Sequence, residues 1–427
     1  MNSKLLSLSF LLGLLSISAS AQEFNGYIVK VKSGSDVLSS KSISQIGQVT
    51  NVTTTQFGTF GKLETSQSLS DKSVQNLMRN SDIEYIEPNY IITLSTPMAE
   101  GDVNPKDASF GKQWGLKNTG KNGGLFSFGV AGEDVNALKA WEITKGSKEI
   151  KVAVIDTGVN YNHPDLKDQM DVNWEEFYGL PGVDNDGNGY VGDIYGYNFS
   201  GKNGDPADGH GHGTHCAGVI GASHNEIGIA GVMANVKIVA IKFLSDKGSG
   251  ETIDAIASID YAIKRGVNVM SNSWGGGEYS EALKEAISAA NDAGITFVAA
   301  AGNDGRNNDT RPTYPANYDV PNVISVGSYT NSGSRSSFSN YGESVHVMAP
   351  GSSILSTYKN GYSNLSGTSM AAPHVSGVVG LLLSEEANLS PAEIKERLVS
   401  TSVKTDKLKS TSKSAGRVDA HRALIYR

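Results

Sequence analysis

A single cysteine, Cys216, serves the whole chain, so no intrachain disulfide and no multi-thiolate zinc centre can form. Charge is sparse as well: Asp, Glu, Lys and Arg make up 19% of the residues, against roughly 25% in an average soluble domain. The 36 basic residues are outnumbered by 44 acidic ones, the formal charge is −8, and no basic block could neutralise a run of phosphates. Nucleic acid is therefore not an expected partner. Long apolar runs are also missing, so no segment offers the ~20 residues needed to span a bilayer. What is abundant is glycine, 49 of 427 residues against a usual ~7%. Such a composition suits a compact fold with many tight turns, and the length leaves room for two or three domains.

Residues 1–21 stand apart. Lys4 precedes the apolar stretch Leu5 to Ile17, and Ala19-Ser20-Ala21 supplies a small-x-small cleavage site. This reads as a secretory signal peptide cut after Ala21; the stretch is too short for a membrane anchor, and no cysteine follows to carry lipid. An exported chain without disulfides must be stabilised otherwise, and bound metal is one means.

Residues 24–94 alternate between strand and helix patterns in the order βαββαβ: strands at 26–32, 49–54, 57–64 and 83–92, helices at 36–46 and 71–79. That order describes a small α+β, split βαβ sandwich. Ser95–Ser109, with two prolines and no periodicity, reads as an exposed linker and a natural proteolytic site. From about residue 110 strands alternate with long helices, which predicts an α/β unit with a mostly parallel sheet covered on both faces. Ligands of such sheets bind outside the carboxyl ends of the strands, so polar residues directly after apolar strands draw attention.

Three places carry unusual chemistry. Asp156 closes the apolar run VAVIDTG, His212 lies in GHGHGTHCAG just before a helix of small residues, and Ser369 opens the apolar helix in GTSMAAPHVSGVVGLLL. Singly, each has a plain reading as a turn residue, a chance histidine or a helix cap. The histidines at 210, 212 and 215 come with no carboxylate motif such as HExxH, which argues against a transition-metal site. Together, Asp, His and Ser beside glycine-rich turns provide what nucleophilic catalysis needs: a hydroxyl, an imidazole to take its proton, and a carboxylate to fix the tautomer.

These segments, with AAAGN ending at Asn303, resemble those of the subtilisin-like serine proteases, the subtilases. The four motifs stand in the family's order, and the likeness runs from about Gln113 to Ala423. The resemblance implies a doubly wound parallel α/β sheet and a secreted serine endopeptidase in which Ser369 attacks, His212 is the general base, Asp156 orients it, and Asn303 with the Ser369 N–H forms the oxyanion hole. Residues 22–100 resemble the ferredoxin-like inhibitory propeptide of such enzymes, which implies a zymogen whose residues 101–427 are the catalytic domain, freed by autocatalytic cleavage within Ser95–Ser109. Ser273, Trp274 and Gly275 resemble the segment that pairs with substrate backbone, and with Ala301 and Gly302 they would wall the primary specificity pocket. Trp274 has packing as its alternative role. Cys216, one helical turn from His212, implies sensitivity to mercurials.

Calcium is the expected cofactor. Asp184, Asp186 and Asn188 alternate as in an EF-hand loop and Gly189 supplies the turn, yet Tyr195 stands where a bidentate Glu would be required. A subtilase calcium loop completed by the Tyr190 carbonyl and Asp193 is expected instead, the alternative being a polar Asx-rich turn. By resemblance alone, Asp165 and Asn225, with carbonyls of Ser223, Ile227 and Ile229, match the family's strong calcium site, and Asp107 adds a ligand. Asp205 and Asp208 are further acidic candidates.

The rival reading is a silent subtilase-like protein that binds peptides without cutting them, against which the intact Asp, His, Ser and Asn set argues. An α/β-hydrolase esterase would place its serine first, within GxSxG. The expected partners are protein substrates and the chain's own propeptide. A monomer is expected, in the extracellular space or the periplasm, with release favoured because no further domain or anchor follows the catalytic unit.

Overall fold

The computed structural model describes residues 24–66, 68–93, 98–103, 109–121 and 128–426. The expected signal peptide and Asp107 lie outside them. None of the described helices is long and apolar enough to cross a membrane.

Among the described residues nine strands form the central sheet, in the order 403–404, 416–417, 347–350, 323–329, 296–300, 269–272, 146–156, 235–242, 196–198. Every neighbouring pair is parallel except the outermost, Val403–Lys404 with Gly416–Arg417. Parallel strands covered on both faces need apolar residues at consecutive positions. Gly146–Asp156 shows this: Val152 and Val154 face one core, Ala153 and Ile155 the other. Glu281–Asp292 packs on the second face, its helix started by Ser280, whose side chain accepts from Leu283 N. On the first face the helix Thr368–Glu385 is buried from Thr368 to Leu383, so its sequence is apolar nearly all round.

Strand order reverses between Gly146–Asp156 and Val269–Asn272. From Gly146–Asp156 the chain moves to Asn235–Lys242 on one side, then returns to the other for Val269–Asn272 and onward. A crevice opens where connections diverge in this way. Asp156 ends one flanking strand and Ser273 follows the other.

The N-terminal unit places its strands in the order 48–55, 58–64, 24–31, 83–93, all antiparallel. The first expected helix is only a 3-10 turn, Val37–Ser39, and one α-turn, Lys41–Ser44. Strand Ile83–Thr93 continues the sheet onto Ser249–Glu251 of the larger unit, pairing Ile91 with Glu251, Ile92 with Gly250 and Thr93 with Ser249. Two side chains of that strand, Glu87 and Asn89, point the same way by the two-residue repeat and reach two helix starts. Glu87 accepts from Ser280 Oγ at 2.6 Å and Glu281 N at 3.0 Å, and Asn89 Oδ1 accepts from Ile253 N at 3.3 Å. Lys30 pairs with Glu285 at 2.7 Å across the same boundary.

The expected linker differs from a plain loop. Met98–Val103 is a strand antiparallel to Gly361–Ser366, with Met98 opposite Ser366. Its order comes from a neighbouring sheet edge, which local sequence pattern does not record.

Candidate active site

Asp156, the last residue of its strand, and His212, the first residue of the helix His212–Gly221, meet at 2.7 Å between Oδ1 and Nδ1. Both are fully buried. Burial by itself would depress the imidazole, but the adjacent Asp156 carboxylate overrides it and holds His212 well above its ordinary value. His212 Nε2 is buried and has no hydrogen-bond partner among the described residues, so the proton-accepting side of the ring is open.

This pair is fixed from behind by Asp208, which accepts from Thr157 Oγ1 at 2.9 Å and Thr214 Oγ1 at 2.6 Å, and from the amides of His210, Gly211 and Thr214. Thr157 Oγ1 in turn accepts from Gly213 N at 3.0 Å. The strand bearing Asp156 and the helix bearing His212 are thus tied through one carboxylate. Asp208 is therefore committed to polypeptide contacts rather than poised for a metal. His215 points elsewhere: its Nε2 donates to the carbonyls of Ile354 and Ser363, and burial pushes its pKa down to about 3. Among the described residues the three histidines do not converge.

Ser369 is the second residue of its helix and nearly fully buried. Cys216 Sγ lies 4.0 Å from His212 Nδ1 and 3.4 Å from the Ser369 carbonyl oxygen, so imidazole and serine flank one sulfur atom. Burial raises the Cys216 thiol. Ser369 Oγ rests on the Ser273 carbonyl at 3.1 Å. Asn303 is turned by Thr368, whose backbone N–H and hydroxyl both donate to Asn303 Oδ1, at 2.8 and 2.9 Å. Its Nδ2 is then the free end. A methyl placed on Gly367 would lie 3.3 Å from Asn303 Nδ2 and 3.6 Å from Ser369 N, so a glycine there leaves the space before both donors open.

Of the predicted substrate residues, Ser273 is engaged with Ser369, and the Trp274 side chain is 2% exposed, edge-on to Phe243. Only the backbone of Trp274 can serve a substrate; its ring belongs to the core. Gly275 faces the Tyr314 carbonyl, and the Ala301 carbonyl accepts from Asn340 Nδ2, whose amide also lies against Gly302.

The two acidic regions differ. Asp165 is fully buried within a loop that folds around it: its carbonyl accepts from Ser223 N, and Oδ2 accepts from Ile229 N at 3.0 Å and Tyr362 OH at 2.9 Å. Oδ1 has no hydrogen-bond partner among the described residues. A buried carboxylate oxygen without a donor is the kind of group a hard cation satisfies. Asn225 Oδ1 accepts from Ile227 N in the same loop, and the Ser109 amide donates to Gly228 O. In the second region the structure adds a residue to the expected set. Asp193 is paired with Arg265 at 3.3 Å and accepts from Tyr261 OH at 2.5 Å, and Asn188 Nδ2 joins it to Asp186, donating to the two carboxylates at 3.0 and 2.8 Å. Glu176 stands beside Asp184 and Asp186, the three offering carboxylate oxygens within 4.8 Å of one another. Asn188 donates to Asp186, and its Oδ1 accepts from Tyr190 N. The Tyr190 ring packs against Tyr197 and Tyr261.

A carboxylate-fixed imidazole beside a helix-borne hydroxyl, at the crevice of a parallel sheet, defines the class as serine hydrolase. Comparison with known proteins narrows that class. The model of the subtilase family matches residues 147–419. Thermitase of Thermoactinomyces vulgaris is 40% identical over 298 residues, covering 69% of this chain and 95% of thermitase. Subtilisin DY of Bacillus licheniformis is 41% identical over 254 residues, 59% of this chain and 83% of that one. The crystal structure of a cold-adapted subtilisin-like serine proteinase aligns with a TM-score of 0.52 at 37% identity, covering 64% of this chain and 87% of that chain. The chain belongs to the subtilase family and is a serine endopeptidase.

Proposed function

We propose that Ser369, His212 and Asp156 are the catalytic triad and that Asn303 with the Ser369 N–H forms the oxyanion hole. The observation that carries this reading is the buried 2.7 Å contact of Asp156 with His212, whose Nε2 has no hydrogen-bond partner among the described residues. As substrate enters, the Ser369 hydroxyl leaves the Ser273 carbonyl and gives its proton to Nε2 while Oγ attacks the peptide carbonyl. Charge developing on the carbonyl oxygen falls before Asn303 Nδ2 and the helix N-terminus at Ser369. His212 then protonates the departing amine, and water repeats the sequence on the acyl-enzyme.

Residues 22 to about 100 act as a folding aid and inhibitor of this site, removed by self-cleavage after the signal peptide has directed export. The pairing of Ile91–Thr93 with Ser249–Glu251 supports that role, since an extended peptide laid on a sheet edge is how a substrate backbone is held. Calcium fits the Asp165 loop and the Glu176, Asp184 and Asp186 cluster, where it would add stability to a secreted chain that has no disulfide.

The test compares wild type with Ser369→Ala on casein in calcium-containing buffer, following cleavage and precursor size together. Wild type is expected to cut casein and shorten itself. Ser369→Ala should lose roughly 10⁶-fold in kcat, the scale known for subtilisin triads, and stay full length. Near-normal turnover in the purified variant would reject Ser369 as nucleophile.

A further inference from the structure

By the resemblance of these segments to those of the subtilases, the pocket that takes the side chain preceding the scissile bond is expected between the backbone walls Ser273–Gly275 and Ala301–Gly302. Each wall carries a glycine where it turns inward, and the space behind both is already filled. A methyl built on Gly302 would come 3.3 Å from Thr313 Cγ2 and 2.4 Å from Asn340 Nδ2. One built on Gly275 would come 3.7 Å from the same Thr313 carbon and 3.1 Å from the Tyr314 carbonyl oxygen. One atom, the Thr313 methyl, therefore reaches both walls.

That methyl is held in place from its other side. Thr313 Oγ1 donates to Asn308 Oδ1 at 3.1 Å and accepts from Asn340 Nδ2 and Arg306 Nη2, each at 3.2 Å. Asn308 and Asn340 are fully buried, and both donate to the Ala301 carbonyl, at 2.8 and 3.1 Å. The Thr313 amide is fixed in addition by Asn317 Oδ1 at 3.0 Å. Turning the methyl aside would break three side-chain hydrogen bonds in a place only 4% exposed.

We propose that the Thr313 methyl closes the primary specificity pocket between Gly275 and Gly302, so that the enzyme cleaves after small side chains (Gly, Ala, Ser or Thr) and rejects aromatic ones. The inference rests on the catalytic reading above and supplies the substrate class for that site. The chain's own expected cleavage region agrees with it: Ser95–Ser109 contains no aromatic residue and includes Ser95, Thr96, Ala99, Gly101 and Ala108.

The experiment uses the mature enzyme on quenched peptides identical except for the residue before the cut, set to Gly, Ala, Ser, Thr, Leu, Phe or Tyr. Because one methylene in a pocket is worth roughly 10–200-fold, kcat/KM for Ala or Ser should exceed that for Phe by at least about tenfold. Thr313→Ser removes only the methyl and keeps the hydroxyl network, and is expected to raise the Phe rate by about tenfold. Thr313→Val keeps the bulk and should retain the small-residue preference. A wild type that cuts the Phe or Tyr peptide as fast as the Ala peptide, or a Thr313→Ser profile superimposable on wild type, overturns the proposal. Labelling of Ser369 with a fluorophosphonate runs beside it. A labelled enzyme with the wrong preference defeats the pocket inference alone, whereas no labelling and no cleavage defeats the catalytic reading and the inference with it.

Discussion

Ser273 and Ser369 hold each other by two hydrogen bonds of opposite sense: Ser369 Oγ donates to the Ser273 carbonyl at 3.1 Å, and Ser273 Oγ donates to the Ser369 carbonyl at 2.9 Å. The second bond exists because of Pro373. In a regular helix the amide four residues on would take the Ser369 carbonyl, and proline has none. The freed carbonyl is shared by Ser273 Oγ and the Cys216 thiol. Ser273→Ala leaves a buried carbonyl with only the weak sulfur donor, and is expected to cost about 1 kcal/mol of stability. The midpoint of urea unfolding measures this, and an unchanged midpoint would mean that the thiol suffices.

Asn303 is oriented by Thr368 at both its backbone and its hydroxyl, so on the proposed reading its amide would meet the nascent oxyanion without reorganising. Asn303→Ala should lower kcat by roughly 10²–10³-fold, the scale of a single oxyanion donor, with KM little changed. Steady-state kinetics on one peptide decides the matter. A rise in KM at constant kcat would assign Asn303 to ground-state binding instead.

Much of this site was legible in the sequence because buried parallel strands must be apolar throughout, which makes a terminal polar residue such as Asp156 conspicuous. The start of the helix Pro391–Thr401 is equally local, since Ser390 and Glu393 form a capping box. Other features depend on partners distant in sequence. Met98–Val103 is a strand only because Gly361–Ser366 offers an edge. The pairing of Asp193 with Arg265 and Tyr261 and the arrival of Glu176 from a five-residue helix outside the acidic motif are likewise set by distant residues. Thr313 had no signal at all: its role arises from two glycines that approach it from separate strands' ends.

The pH dependence follows from the Asp156–His212 pair. Catalysis requires neutral imidazole, and the carboxylate holds His212 above its ordinary value despite burial, so the acid limb of kcat/KM should lie above pH 6.5 and activity should rise into the alkaline range. Asp156→Asn removes the cause of the upward shift. Its acid limb should move to lower pH while kcat falls by roughly 10⁴-fold. Profiles of both proteins on one substrate test the assignment, and a limb that stays in place would separate Asp156 from the titration.

Chelation should weaken the fold rather than the chemistry. Asp165 Oδ1, without a hydrogen-bond partner among the described residues, is the group with most to gain from a cation. Calcium at about 100 times its Kd would add about 2.7 kcal/mol through binding to the folded state alone. EDTA is accordingly expected to lower the temperature of half-inactivation, and Asp165→Ala to abolish most of that calcium dependence. Equal inactivation curves with and without EDTA would remove calcium from the account.

The contact between the N-terminal unit and the larger unit should itself be sensitive to protons. Burial pushes the Glu87 carboxyl up against the opposing pull of Ser280 and the helix amides. Burial, reinforced by the Glu251 charge, raises Asp254 to about 6 beneath Asn51, with Lys202 and Lys62 opposing. An acid whose pKa is higher when covered takes up a proton on covering. The association is therefore strongest below the ordinary carboxylate range and is lost progressively as pH rises through about 6. Once cut from the rest of the chain, as the proposed self-cleavage would do, the N-terminal segment should stay bound at pH 5 and dissociate more readily at pH 8, as read by size-exclusion chromatography run at each pH. Asp254→Asn, neutral throughout, should flatten the upper part of that dependence. Retention that is equal at both pH values would show that the buried carboxylates are balanced by the lysines around them, and that release depends on destruction of the segment rather than on its ionisation.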